Sequence, residues 1–214
     1  MIHFENVTKR FPDGTAAMDA VNVKIQKGEF ISIIGRSGAG KSTMLRLINS
    51  TILPTEGKVH VLGYHLGDHE SARTMRMVRR QVGFIFQQFH LIKTHTVLSN
   101  VLMGRLGYMG TVRGTLGLFS KEDKDKAENV LVEVGLREQI NKRVDQLSGG
   151  QQQRVAIARA IVQEPQIILA DEPLASLDPK LSEVVLDLLY KFNQERNITV
   201  LVNVHVLDLA KRRA

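Results

Sequence analysis

The residues with the clearest chemistry lie between Gly35 and Ser42. Gly35-Arg36-Ser37-Gly38-Ala39-Gly40-Lys41-Ser42 fits the pattern G-x-x-x-x-G-K-[ST] in full. Glycines in such a loop let backbone N–H groups turn inward around phosphate oxygens. A helix starting near Lys41 aims its positive end at the same oxygens, Lys41 adds a full charge, and the Ser42 hydroxyl is suited to ligate Mg²⁺. Thr43 follows in the first turn of that helix and completes the phosphate-binding set. The β-branched run Phe30 to Ile34 directly before the loop reads as a strand. An ordinary Gly-rich turn would not require this order of strand, loop and helix.

A second group complements the first. Ile167-Ile168-Leu169-Ala170-Asp171-Glu172 is a buried apolar strand that delivers two carboxylates at its C-terminal end, where open α/β sheets bind ligands. Asp171 is expected to hold Mg²⁺, directly or through water, and Glu172 to polarise an attacking water. Alone, such a pair is as readily a helix cap or a surface pair; beside a phosphate loop it supplies the missing half of a hydrolytic site. Leu147-Ser148-Gly149-Gly150-Gln151 then leads into a helix read from Gln151 to about Val162. Ser148 and the glycines expose N–H groups at a helix start and make a second phosphate-seeking pole, although a capped helix after a glycine turn would look the same in isolation.

Taken in order, these motifs resemble those of the ATP-binding cassette (ABC) ATPases. The resemblance implies that the Ser148 pole, with Gly149, Gly150 and Gln151, engages the γ-phosphate held by a partner subunit. Two copies would then pair head to tail as a homodimer with two ATP molecules between them. Gln87, after the strand Val82 to Phe86, resembles the Q-loop glutamine that senses Mg²⁺ and the attacking water. Ser176-Leu177-Asp178 resembles the D-loop that crosses the dimer interface, and Asp178 also suits a helix N-cap. His205, after the strand Thr199 to Val204, resembles the switch histidine that contacts the γ-phosphate. Phe11 stands where an aromatic ring stacks on adenine, with core packing as the alternative. The implied catalytic set is Glu172, His205, Gln87 and Lys41, the metal set Ser42, Gln87 and Asp171, and the cofactors ATP and Mg²⁺.

Further strands are read at Phe4 to Thr8, Val21 to Ile25 and Val59 to Leu62. Helical spacing is clearest at Leu181, Val184, Val185, Leu188, Leu189 and Phe192, with Asp178 and Pro179 at its N-cap and first position. Another helix is expected from Lys121 to Val134, started by a Ser120–Asp123 capping box and burying Ala127, Val130, Leu131 and Val134. Strands crowd both ends of the chain, whereas His90 to Gln163 reads as helices and loops. The expected fold is α/β: a P-loop NTPase core of the ABC ATPase type with N-terminal antiparallel β strands and an inserted helical subdomain. Residues 1–89 and 164–214 form the ATPase core and 90–163 the helical subdomain, within one ABC ATPase domain spanning 1–214.

Composition narrows the rest. The 214 residues carry 29 Lys plus Arg against 22 Asp plus Glu, a net charge of +7 that suits nucleotide, nucleic acid or anionic lipid alike. With 0 cysteines there is no disulfide framework, Cys-based zinc site or thiol nucleophile. The N-terminus has no export pattern, so the reading is cytosolic. The apolar runs fall far short of the ~20 residues that span a bilayer, so a membrane role must come through a partner. A GTPase would need Asn-Lys-x-Asp, which Asn141-Lys142-Arg143-Val144-Asp145 misses by one position. Small-molecule kinases lack an equivalent of Ser148 to Gln151.

Soluble ABC ATPases that act on DNA or ribosomes generally carry a coiled-coil insertion or a second cassette, for which this length leaves no room. The chain is more similar to an importer ATPase, and within that group to those of phosphonate transporters. That resemblance spans Met1 to about His205 and rests on Gly104-Arg105-Leu106-Gly107 through Leu116-Gly117-Leu118-Phe119, Phe86-Gln87-Gln88-Phe89 and Val202-Asn203-Val204-His205. It implies transmembrane permease subunits, an extracytoplasmic substrate-binding protein, a peripheral place on the cytoplasmic face of the inner membrane, and no nucleic-acid partner. An amino-acid importer is the first alternative, a nucleic-acid-linked ATPase a more distant one. Family chains continue beyond the switch histidine, whereas this one stops nine residues after His205, with Val206 where Gln is common. The expectation is a C-terminally short chain with an uncovered edge or apolar face.

Other groupings carry weaker chemistry. The Gly-rich stretch Gly104 to Gly117 is too apolar for a linker and reads as structured surface or a partner contact. His65 and His69 flank a Gly67-Asp68 turn rather than a metal site. Arg73, Arg76 and Arg80 read as a solvated helix face, Lys211-Arg212-Arg213 as a weak attraction to lipid or nucleic acid, and Phe84 with Phe86 as core.

Overall fold

The structure is a computed structural model and describes residues 1–67, 70–175 and 177–204. In chain order its elements are β1 (Ile2–Arg10), β2 (Ala16–Ile25), β3 (Phe30–Ile34), α1 (Lys41–Ile48), β4 (Glu56–Val61), β5 (Tyr64–Leu66), α2 (Ala72–Gln81), β6 (Val82–Ile85), α3 (Val97–Leu102), α4 (Thr111–Thr115), α5 (Lys121–Glu133), α6 (Gly149–Ile161), β7 (Ile167–Ala170), α7 (Pro179–Arg196) and β8 (Thr199–Val204). Short 3-10 turns occupy Met103–Tyr108, Arg137–Gln139 and Val144–Gln146. Among the described residues no helix is long and apolar enough to cross a membrane.

Two sheets result. An antiparallel sheet runs β2-β1-β4-β5, and a parallel one runs β3-β8-β7-β6. In the parallel sheet Ile34 pairs with Val204, Ala170 with Val202 and Ile85 with Ala170, which brings the C-terminal ends of all its strands to one rim. Both faces of that sheet are covered, as expected of parallel strands written as continuous apolar runs. Ile167, Leu169 and Leu201 pack with Leu45, Leu47 and Ile48 of α1 and with Phe4, Val59 and Val61 of the antiparallel sheet. Ile168, Ala170, Val200 and Val202 pack on the other side with Val101, Leu131, Ile157, Leu189 and Phe192. The helices between residues 90 and 163 therefore share a core with the parallel sheet.

Several elements differ from the sequence reading. The run Val59 to Leu62 ends at Val61, because Leu62 (φ 56°) and Gly63 (φ 83°) form a tight left-handed turn into β5, a strand the sequence reading missed. β6 ends at Ile85 rather than Phe86. α6 begins at Gly149, two residues before the expected start, because Ser148 caps it and Gln151 is the third residue of the capping box. α7 starts as expected, with the Asp178 side chain accepting from Leu181 N and Pro179 in the first turn. Its buried face is turned, however, toward Ser182, Val185, Leu186, Leu189, Phe192 and Asn193, leaving Val184 47% exposed. Asn193 explains the turn: its Nδ2 donates to Gly28 O at 2.8 Å and Ile198 O at 2.7 Å, so a polar residue faces inward.

The Gly-rich stretch is structured and docked. Arg105, 7% exposed, donates to Asp123 Oδ1 at 2.8 Å and to Val162 O and Glu164 Oε2 at 3.2 Å. The Tyr108 hydroxyl donates to Arg80 O at 3.0 Å and Gln163 O at 2.8 Å, and its ring lies 4.2 Å from both the Arg80 and Arg105 guanidinium groups. Arg76 donates to Met109 O at 3.0 Å. Arg76 is exposed as expected of a solvated face while also bonding Met109, whereas Arg80 is only half-exposed, against Tyr108. Gly104 is required by close approach, since a Cβ there would stand 2.2 Å from Arg159 O. Val112, Leu116 and Leu118 remain exposed.

Candidate active site

The phosphate loop leaves the rim of the parallel sheet at the end of β3. Gly38 and Gly40 both adopt φ 80°, a left-handed conformation that favours glycine, and a Cβ on Gly40 would meet Ala17 O at 2.2 Å. Lys41 is 8% exposed and its Nζ donates to Gly35 O at 2.7 Å and Arg36 O at 2.9 Å, so the cation is held at the loop's centre by the loop's own backbone. The first turn of α1 contains no acidic residue, which leaves its N–H groups to an anion.

A cleft of about 270 Å³ opens here, lined by Phe11, Thr15, Ala17, Ser37, Gly38, Ala39, Gly40, Lys41, Ser42, Thr43 and Glu172. Phe11 is half-buried at its edge rather than in the core. Asp171 lies behind it: Ser42 Oγ donates to Asp171 Oδ1 at 2.7 Å, and Asn203 Nδ2 donates to the same oxygen at 2.7 Å. Glu172 has φ 50°, which an L side chain adopts at a cost of about 1 kcal/mol, a kind of strain that concentrates at functional sites.

This donor set fits a nucleotide with magnesium. One carboxylate and one hydroxyl, both hard oxygen donors, stand together where phosphates meet a helix N-terminus, and Mg²⁺ takes few protein ligands and completes its shell with phosphate and water. Among the described residues no group of three or more His, Asp or Glu side chains converges to hold a metal without such a ligand.

Other expected site residues lie outside that cleft lining. Gln87 is exposed in the turn after β6. Its loop is fastened to α6, where Arg159 donates to Phe89 O at 2.7 Å and His90 O at 2.5 Å, and Phe89 and His90 have φ 51° and 47°. Burial draws the Arg159 guanidinium below its ordinary pKa. Ser148 and Gly149 are exposed at the start of α6, the Ser148 Oγ accepting from Gln151 N and the Gln151 side chain accepting from Ser148 N. Gly150 is buried against Leu181, and Asp178 caps α7. Ser176, His205, Val206, His69 and Lys211 to Arg213 lie outside the described residues.

Asn203 and Arg159 were not singled out as site residues from the sequence. The strand register holds the signal for Asn203. Ala170 pairs with Val202, so the next pair along the two strands is Asp171 with Asn203, on the face shared by Leu169 and Leu201.

Comparison with known proteins accords with this geometry. The sequence model of the family described as ABC transporter matches residues 18–175. The phosphonates import ATP-binding protein PhnC of Bacillus thuringiensis subsp. konkukian is 52% identical over 214 residues, which cover 100% of this chain and 83% of that one. A corresponding protein of Halalkalibacterium halodurans is 50% identical over 214 residues, covering 100% and 87%. Among solved structures, a dimeric ATP-binding cassette in a post-hydrolysis state bound to ADP and Pi superposes with a TM-score of 0.85 at 41% identity, covering 99% of this chain and 90% of that one. With the family match spanning most of the sequence and the phosphate loop and acidic strand meeting at one rim, the chain belongs to the ABC transporter family as its ATP-binding cassette.

Proposed function

We propose that this cassette is the ATP-hydrolysing subunit of an importer for phosphonates or related organophosphorus compounds, including phosphite. The observation that carries the reading is the pairing at the sheet rim: Asp171 bonded to Ser42 of the phosphate loop, and its neighbour Glu172 lining the cleft over that loop. The relatives named for phosphonate import, about half identical along the whole chain, support the substrate class.

In this reading Lys41, the backbone of Gly35 to Gly40 and the start of α1 bind the phosphates, and Phe11 stacks on the adenine. Ser42, Asp171 and Gln87 are the residues that would hold Mg²⁺. Such a cation would supply Lewis-acid charge neutralisation for phosphoryl transfer. Glu172 accepts a proton from water as that water attacks the γ-phosphorus in line and the bond to the β-phosphate oxygen breaks. His205 contacts the γ-phosphate and stabilises the charge that develops there. Ser148, Gly149, Gly150 and Gln151 of a second copy close over the same phosphate, with Asp178 at the interface. Residues 1–89 and 164–214 act as the ATPase core. Residues 90–163 act as the helical subdomain, and Gln87 links hydrolysis to transmembrane permease subunits at the cytoplasmic face of the inner membrane. An extracytoplasmic binding protein selects the substrate.

Light scattering of Glu172→Gln protein tests the engine. Addition of Mg-ATP is expected to convert monomer to dimer while hydrolysis is lost; a persistent monomer, or wild-type turnover in the variant, contradicts it. The substrate class is tested in proteoliposomes holding the permease and binding protein. Phosphonate, and not amino acids, is expected to stimulate ATP hydrolysis.

A further inference from the structure

Asn203 is fully buried, yet its amide is only half satisfied. Nδ2 donates to Asp171 Oδ1 at 2.7 Å, whereas Oδ1 of Asn203 is buried with no hydrogen-bond partner among the described residues. A buried acceptor left unpaired carries its full desolvation penalty, and an apolar side chain would avoid that penalty within a strand whose other members are Thr199, Val200, Leu201, Val202 and Val204. The amide also sits at a particular place. Asp171 Oδ1 receives two donors, Ser42 Oγ and Asn203 Nδ2, both at 2.7 Å. One comes from the helix that follows the phosphate loop and the other from the strand beside the acidic one. Together they hold one oxygen of the carboxylate and restrain its rotation. Loss of a partner that orients a ligating group in this way typically lowers metal affinity about 10–100-fold.

We infer that Asn203 is a positioning residue of the hydrolytic site: it locks the Asp171 carboxylate for the nucleotide-bound divalent cation, and its unpaired Oδ1 accepts a hydrogen bond from a water of that cation's shell. The inference rests on the reading of the cleft as a nucleotide and magnesium site. A merely structural Asn203 would affect stability, not cation affinity. Two variants separate these roles. Asn203→Leu keeps the branched heavy-atom skeleton and removes both the donor and the acceptor; Asn203→Thr keeps a hydroxyl donor.

The test is the binding of Mn²⁺ to the ADP-loaded protein, followed by loss of the free-ion EPR signal, alongside ADP binding in EDTA and thermal melting. Expected is a loss of Mn²⁺ affinity of about 10–100-fold in Asn203→Leu, partial recovery in Asn203→Thr, and metal-free ADP binding within about twofold of wild type in both. In hydrolysis the Leu variant loses kcat and needs more Mg²⁺, with KM for ATP little changed. Wild-type Mn²⁺ affinity in a folded Leu variant overturns the inference alone, as does equal loss in the Thr variant. If the wild-type protein itself takes up no Mn²⁺ with ADP, the reading of the cleft falls and the inference with it.

Discussion

Two glycines at helix starts give opposite expectations on substitution. At Gly40 both the φ of 80° and the 2.2 Å approach to Ala17 O oppose a side chain, so Gly40→Ala is expected to disrupt the loop and abolish nucleotide binding. At Gly149 nothing lies within 4 Å of the place a methyl group would take and φ is ordinary, so Gly149→Ala meets no obstacle among the described residues of its own chain. Alanine in place of helical glycine stabilises by up to about 1 kcal/mol. Melting is therefore expected to hold or rise, while ATP hydrolysis falls if, as proposed, α6 closes over the phosphate of the opposite copy and the methyl intrudes there. Parallel melting curves and turnover rates check the pair. Full turnover in Gly149→Ala would remove the role assigned to the α6 N-terminus across the dimer.

At the scale of elements, Arg105 holds the Gly-rich stretch to α5 and to the segment after α6. The Asp123 side chain it bonds is only 15% exposed. Arg105→Ala leaves that carboxylate without its cation, at an expected cost of about 3 kcal/mol in chemical denaturation, and Arg105→Lys recovers little because the forked geometry is lost. Desolvation raises the Asp123 pKa, but hydrogen bonds from Ser120 and Arg105 outweigh it and hold the carboxyl below the ordinary aspartate range. A depressed folded pKa means that the stabilisation is present above the unfolded value and is lost as pH falls through the folded one. Asp123→Asn is expected to flatten the loss of stability below about pH 4, measured by denaturant midpoints across acid pH. The same elements mark what the sequence makes legible. The phosphate loop, the Ser120–Asp123 capping box and the β3, β7 and β8 strands are written locally, in contiguous residues whose backbone needs determine their type. β5 was hidden because apolar Leu62 extends the β4 pattern while lying in the turn. The rotation of α7 depends on Asn193 finding the carbonyls of Gly28, in the turn before β3, and Ile198, just before β8, and the docking of Arg76 and Arg80 depends on Tyr108 and Met109, remote in sequence. Asn203 beside Asp171 follows from sheet register, which no short window of sequence contains.

At the scale of the whole molecule, the parallel sheet is the wall between the two apolar clusters, and its strands contribute alternately to each. Ile168 belongs with the helices between residues 90 and 163, whereas Leu169, the next residue, belongs with α1 and the antiparallel sheet. Neither cluster can be dismantled without exposing one face of the sheet that the other needs, so the described fold is expected to melt as one cooperative unit. Ile168→Ala and Leu169→Ala are each expected to cost about 2–5 kcal/mol, from lost burial and the cavity left behind. Hydrogen exchange by mass spectrometry distinguishes cooperative from separable loss. In either variant, protection is expected to fall together in β4 and in α5, elements on opposite sides of the wall. Loss confined to α5 in Ile168→Ala, with β4 unchanged, would mean that the helical part opens alone, and that the coupling proposed for Gln87 would run through local unfolding rather than a rigid shift.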